Sequence, residues 1–147
     1  MATTIEQLAD RHELERVVYA LGRCLDERDF DGLRELCTAD AAVSTPGGTA
    51  TGHDALVEQA RRRHTADEGI QHLITNLLAD IDGDRASVRA NLLVSFAAAG
   101  PADPAPFLLG EVYRFEFKRT GDGWRIHRLS SSPVWTLNRP AQLAAQL

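Results

Sequence analysis

The chain has 147 residues, 44% of them hydrophobic and 25% charged, with a formal net charge of −5 at pH 7. That length fits one compact domain over residues 1–147, with a core at about 5–135 and a tail at 136–147, and the composition is that of a soluble globule rather than a disordered chain. The acidic balance argues against nucleic acid as a partner, since that needs a clustered basic surface, and the basic run Arg61-Arg62-Arg63 falls on the solvated side of an expected helix.

No segment approaches the roughly 20 apolar residues that span a bilayer. Glu6, Asp10 and Glu13 stand where a secretory leader needs a basic start and an apolar run. Cys24 and Cys37 are too few for a disulfide framework or a metal site and read as buried free thiols on helical stretches. A cytoplasmic chain without a membrane partner is the expectation.

The first element is a helix over about residues 5–27, where Ile5, Leu8, Leu14, Val17, Val18, Leu21 and Leu25 recur at amphipathic spacing and Thr4 can cap the start. A short helix follows at about 30–36, with Phe30, Leu33 and Leu36 on one side. Residues 41–44 read as a strand entering a turn at Pro46-Gly47-Gly48, and a third helix runs from about 53 to 64 after Gly52. From residue 71 the period changes to two, and four strands are expected at about 71–81, 85–97, 107–119 and 123–132. Asp82-Gly83-Asp84 and Thr120-Gly121-Asp122-Gly123 are hairpin turns. Residues 99–106, with three prolines, are expected to form a longer mobile loop, and residues 140–147 a short tail helix. Helices followed by antiparallel strands indicate an α+β domain in which a curved sheet wraps the helices.

Alternation on the strand at 71–81 puts His72, Ile74, Asn76 and Leu78 on one face. A polar pair on an apolar stripe is either a satisfied core histidine with its neighbour or a site, in which imidazole works as general acid or base and the carboxamide orients a carbonyl or hydroxyl. Asp26 stands near a helix C-terminus, where the macrodipole disfavours a carboxylate. It can hold the imidazole of His72 in one tautomer, or serve only the turn between helices. On the later strands Tyr113, Phe115 and Phe117 are expected inside, opposite Arg114, Glu116 and Lys118. Trp124 and Ile126 carry Arg128 with them toward the core, where it would meet an anionic ligand or a partner unless it snorkels to the rim. His12 and His127 read as exposed, His53 as a helix start and His64 as one of a run of basic residues. No metal-binding, phosphate-loop or serine-nucleophile motif occurs, which leaves cofactor-free acid–base work on a small organic ligand.

The segments Arg23-Cys24-Leu25-Asp26-Glu27-Arg28-Asp29-Phe30-Asp31, Gln71-His72-Leu73-Ile74-Thr75-Asn76 and Asp122-Gly123-Trp124-Arg125-Ile126 resemble, in order and spacing, the SnoaL-like group of the nuclear transport factor two-like superfamily. The likeness covers about residues 5–135. It implies a cone-shaped α+β barrel with a deep apolar pocket, often a homodimer paired through the outer sheet face, among relatives that include polyketide cyclases, dehydratases, steroid isomerases, epoxide hydrolases and a non-catalytic dioxygenase subunit. The family's leucine–aspartate motif falls on Leu25 and Asp26, its pocket histidine and asparagine on His72 and Asn76, and a pocket arginine of some dehydratases on Arg128. One departure is Leu21, five residues before Asp26, where many of these enzymes carry a proton-donating tyrosine. Tyr19 is turned about 200° away from that position on a helix and is a poor substitute, whereas Tyr113 could donate from the sheet.

The resulting expectation is a cofactor-independent cyclase, dehydratase or isomerase for a hydrophobic oxygenated molecule such as a polyketide intermediate. His72 and Asp26 would be catalytic, with Asn76, Arg128, Tyr113, Tyr19 and Trp124 contacting substrate. The rival is a binding or assembly module of the same fold. An epoxide hydrolase ranks lower, because it needs two acids around a water and the sequence places only Asp26.

Overall fold

The structure, a computed structural model, describes residues 2–64, 68–98 and 105–140. Helix α1 (Ile5–Asp26) starts at Thr4, whose hydroxyl accepts from the Gln7 N–H at 3.2 Å while the Gln7 side chain accepts from the Thr4 N–H at 2.9 Å. This reciprocal pair satisfies two donors that a helix start otherwise leaves open. The buried stripe Leu14, Val17, Val18, Leu21, Cys24 and Leu25 packs α1 into the concave face of the sheet, against β3 and β6 defined below. Arg28 then takes a left-handed conformation (φ 58°) and turns the chain into α2 (Leu33–Leu36), a single turn shorter than expected, with Phe30 packed ahead of it.

Strands β1 (Cys37–Thr45) and β2 (Gly48–Thr51) form a hairpin through Pro46-Gly47, and α3 (His53–Arg63) follows Gly52 (φ 85°). Cys37 therefore opens a strand rather than lying on a helix, and β2 was not among the expected strands. Its sequence, Gly-Thr-Ala-Thr, is too short and too polar for periodicity to register. The long strands are β3 (Glu68–Asp82), β4 (Arg85–Ala98), β5 (Phe107–Thr120) and β6 (Gly123–Leu137), the last running past its expected end. Residues 99–104 of the expected loop and 141–147 of the expected tail helix lie outside the described residues.

The six strands form one curved sheet in the order β2-β1-β6-β5-β4-β3, antiparallel except for the β1–β6 pairing. With β2 and β3 as free edges, it wraps the helices as an unclosed cone. Tyr113, Phe115 and Phe117 face inward, as alternation predicts, and Phe115 and Phe117 are each 1% exposed. No helix among the described residues is long and apolar enough to cross a membrane.

Two bulges alter the faces. The β3–β4 register shifts between Thr75 and Leu78, with Asn76 at φ 55°. A bulge inserts a residue and flips everything beyond it to the other side. Asn76 is accordingly exposed, and Leu78 is 66% exposed. The β5–β6 register shifts where Glu116 pairs Arg128 and Phe117 pairs Ile126. Trp124 and Ile126 therefore stay inside while Arg128 turns out, and Leu129 takes the next inward place.

Candidate functional site

The end of α1 packs against the middle of β3. Gly22 packs on β3, where a methyl group would sit at ordinary contact distance, 3.7 Å from His72 Cβ and 3.4 Å from Ile74 Cδ1. One turn on, Asp26 receives three hydrogen bonds from a single residue. His72 donates its backbone N–H to Oδ1 at 2.9 Å and Oδ2 at 3.1 Å, and its ring Nδ1–H to Oδ1 at 2.6 Å. The helix-end carboxylate thus cross-links helix to strand and fixes the imidazole tautomer, leaving Nε2 as the nitrogen available to a ligand. The His72 side chain is only 4% exposed, and burial pulls its pKa below the usual histidine value despite Asp26, so the ring is held neutral and able to accept a proton.

Beside His72 lies a second imidazole. The His64 ring is 5.4 Å from that of His72 and 6.1 Å from Phe30 between centroids. Its Nδ1–H donates to the Ala60 carbonyl at 2.8 Å, and burial pushes its pKa down to about 4. His64 reads in sequence as one more basic residue after three arginines. Its inward turn at the end of α3 is a tertiary fact.

Both imidazoles line a cavity of about 1030 Å³ walled by apolar side chains such as Leu21, Leu25, Leu92, Val94 and Leu109. That volume is at the upper end for small-molecule sites. Leu21 faces it from the helix position where many SnoaL-like enzymes carry tyrosine. On the sheet wall, Tyr113 and Glu111 also line it, two residues apart on β5, with Ser131 on β6. Burial raises the pKa of both Glu111 and Tyr113. Glu111 was not foreseen, yet carrying the Tyr113-Phe115-Phe117 alternation back one step puts it on the inner face. Cys37 also borders the cavity, and burial pushes its thiol up to about 12, away from nucleophilic use.

The remaining expected site residues lie elsewhere. Asn76 and Arg128 are turned out by the two bulges, and Arg128 meets Glu116 at 3.6 Å on the surface. Tyr19 is 52% exposed on the far side of α1, and Trp124 is fully buried in the core, its indole N–H donating to Asp10 at 2.9 Å. None of these four lines the cavity. His127, read as exposed, keeps a side chain only 13% exposed, with Nδ1 3.2 Å from the Thr38 hydroxyl.

Comparison with known proteins places this geometry. The uncharacterized protein Rv2910c of Mycobacterium tuberculosis is 28% identical over 127 residues, covering 85% of this chain and 86% of the relative. Among solved structures, a candidate scytalone dehydratase of Novosphingobium aromaticivorans superposes with TM-score 0.80 at 22% identity, over 91% of this chain and 90% of that one. Hexachlorocyclohexane dehydrochlorinase LinA-type3 of Novosphingobium barchaimii does so with TM-score 0.80 at 17% identity, over 95% and 96%. At these identities the structural matches establish the fold alone. The model of the SnoaL-like domain matches residues 6–130, a span that takes in every cavity-facing polar residue named above except Ser131. The chain therefore belongs to the SnoaL-like family.

Proposed function

We propose that this protein is a cofactor-independent acid–base enzyme, a cyclase, dehydratase or isomerase, acting on a hydrophobic oxygenated small molecule. The observation that carries the reading is the His72–Asp26 pair, joined at 2.6 Å and set into the wall of a largely apolar cavity. A neutral imidazole whose Nδ1–H is anchored on a carboxylate presents a basic Nε2, and the carboxylate stabilises the imidazolium that proton abstraction creates. Apolar walls exclude water and strengthen both effects. The relatives named for dehydratase and dehydrochlorinase activity support an elimination. A polyketide intermediate fits the cavity's size and character, and a single-domain cytoplasmic homodimer is part of the reading, with Leu73, Val134 and Trp135 supplying exposed apolar surface on the strands.

Proton abstraction beside a carbonyl leaves a signature independent of substrate identity, namely exchange of that proton for solvent deuterium. Incubated in heavy water with a panel of apolar ketones and followed by proton NMR, the protein should catalyse exchange, and His72→Ala should slow it by about 10²-fold or more with the fold intact. Exchange at an unchanged rate in the variant rejects the assignment.

The rival binding-module reading leaves unexplained why His64, His72, Glu111 and Tyr113 all line one largely apolar cavity. As for an epoxide hydrolase, Glu111 does add a second acid, but Asp26 is committed to His72 through three hydrogen bonds. Two acids are not left to flank a water.

A further inference from the structure

Among the described residues, Glu111 is the charged side chain that falls in the buried class, at 9% exposure, and no ion pair among them holds its carboxyl. Burial there disfavours the carboxylate and favours the protonated acid. Its neighbours are few. Ser131 on β6 contributes a side-chain hydrogen bond, Arg63 at the end of α3 acts on it at longer range, and Tyr113 follows on the same strand. The residue across the β5–β6 ladder is Pro133, which has no N–H to offer.

Sheet register fixes where this carboxyl sits relative to His72. His72 pairs Val94, Val94 pairs Leu109, and Glu111 is the next inward residue along β5. With about 4.8 Å between strands and 3.4 Å per residue, the two backbones are roughly 12 Å apart on the same concave face. Both side chains reach inward across that gap, which suits a small molecule held between an imidazole and a carboxyl.

We propose that Glu111 is the proton donor of this cavity, and that the substrate class is a β-hydroxy carbonyl compound whose hydroxyl leaves at the Glu111 end while His72 takes the proton beside the carbonyl. This rests on the acid–base reading above and adds to it the second proton-transfer group. In the step, the C–H bond breaks toward His72 Nε2, its electron pair forms the C=C bond, and the C–O bond breaks. The departing oxygen takes the Glu111 proton and leaves as water. The imidazolium and the carboxylate that remain return to their starting forms by proton exchange with solvent, so no oxidant, reductant or metal is needed. Desolvation, which raises the Glu111 pKa, favours the protonated acid that this role requires. The titratable and charged groups nearest it are Tyr113 on β5 and Arg63 on α3; Arg62, His64, His72 and Cys37 also line the cavity, and Asp26 stands behind His72.

The test uses the β-hydroxy ketone formed by aldol addition of acetone to benzaldehyde, together with its acetate ester, and follows the absorbance of the common enone product. Hydroxide needs a proton to leave and acetate does not. Glu111→Gln, which keeps the side-chain shape, should lower kcat on the hydroxy ketone by about 10²-fold while leaving elimination from the ester essentially unchanged. The fall in kcat at high pH that marks a donor losing its proton should vanish in that variant. In Ser131→Ala, where a hydrogen bond favouring the carboxylate is gone, it should move to higher pH. Equal losses on both compounds, or an unaltered pH profile in Glu111→Gln, overturn the assignment of Glu111. If His72→Ala abolishes elimination while Glu111→Gln keeps it, this inference falls and the general reading stands. If the unmodified protein eliminates neither compound, both fall.

Discussion

Of the carboxylates that helix α1 sends into the sheet, Asp10 and Asp26 do different work. Asp10 accepts two hydrogen bonds from Arg119, at 2.6 and 2.8 Å, and one from the Trp124 indole at 2.9 Å, while the guanidinium lies 4.3 Å over the indole ring. The polar side-chain atoms of that knot are partnered, and none of its three residues lines the cavity described above. Asp26 grips His72 as tightly, but its partner keeps one nitrogen unspent and stands in a cavity wall. A saturated network is a clasp, whereas one with a leftover basic atom facing an apolar void can do chemistry.

The largest effect expected from breaking this comparison is at the clasp. Trp124→Ala removes a fully buried side chain and should cost about 3–5 kcal/mol of stability, read by urea unfolding. By contrast, His72→Ala, whose side chain borders an existing void, should cost about 1 kcal/mol while abolishing most of the proton exchange. Were the histidine variant the less stable of the two, the division into clasp and site would be wrong.

Asp10→Asn should be smaller, about 1–2 kcal/mol near neutral pH, for hydrogen bonds to a charged group. It should also change the acid limb of stability. The Arg119 hydrogen bonds hold the Asp10 pKa near 2, below its ordinary 3.8, so its contribution is fully present above about pH 4 and is lost as pH falls toward 2. Unfolding midpoints taken across that window should converge for Asp10→Asn and the unmodified protein at the acid end. A constant gap would deny the linkage.

The smallest change is expected at Arg128. Its ion pair with Glu116 spans 3.6 Å between side chains 62% and 64% exposed, so Arg128→Ala should alter stability by less than about 0.5 kcal/mol and leave proton exchange intact. A large loss of activity in that variant would bring the residue back into the site.

Element order and the inward aromatic run on β5 were legible before any coordinates, and the contact of Asp26 with His72 was an expectation that the resemblance strengthened. Helical and strand periods depend on which side chains avoid water, and that is written residue by residue. The failures cluster at β-bulges. Alternation carried through Asn76 and Arg128 assumes an unbroken pleat, and at each strand a single extra residue reverses the face. Asn76, of a type that tolerates the left-handed backbone it adopts at φ 55°, is a faint local sign of the first insertion, and Ile126-His127-Arg128 carries none of the second. His64 and Glu111 were missed for a related reason: a charge or an imidazole is read as solvated until packing shows that it borders a cavity.

The sequence by itself determined the order of the main secondary elements and the family resemblance, since each depends on short-range periodicity or on motifs in a fixed order. Only the tertiary structure decided which polar residues face the void, because facing depends on bulges, on sheet curvature and on contacts between residues dozens of positions apart. The 2.6 Å bond between Asp26 and His72, 46 positions apart in sequence, is such a contact.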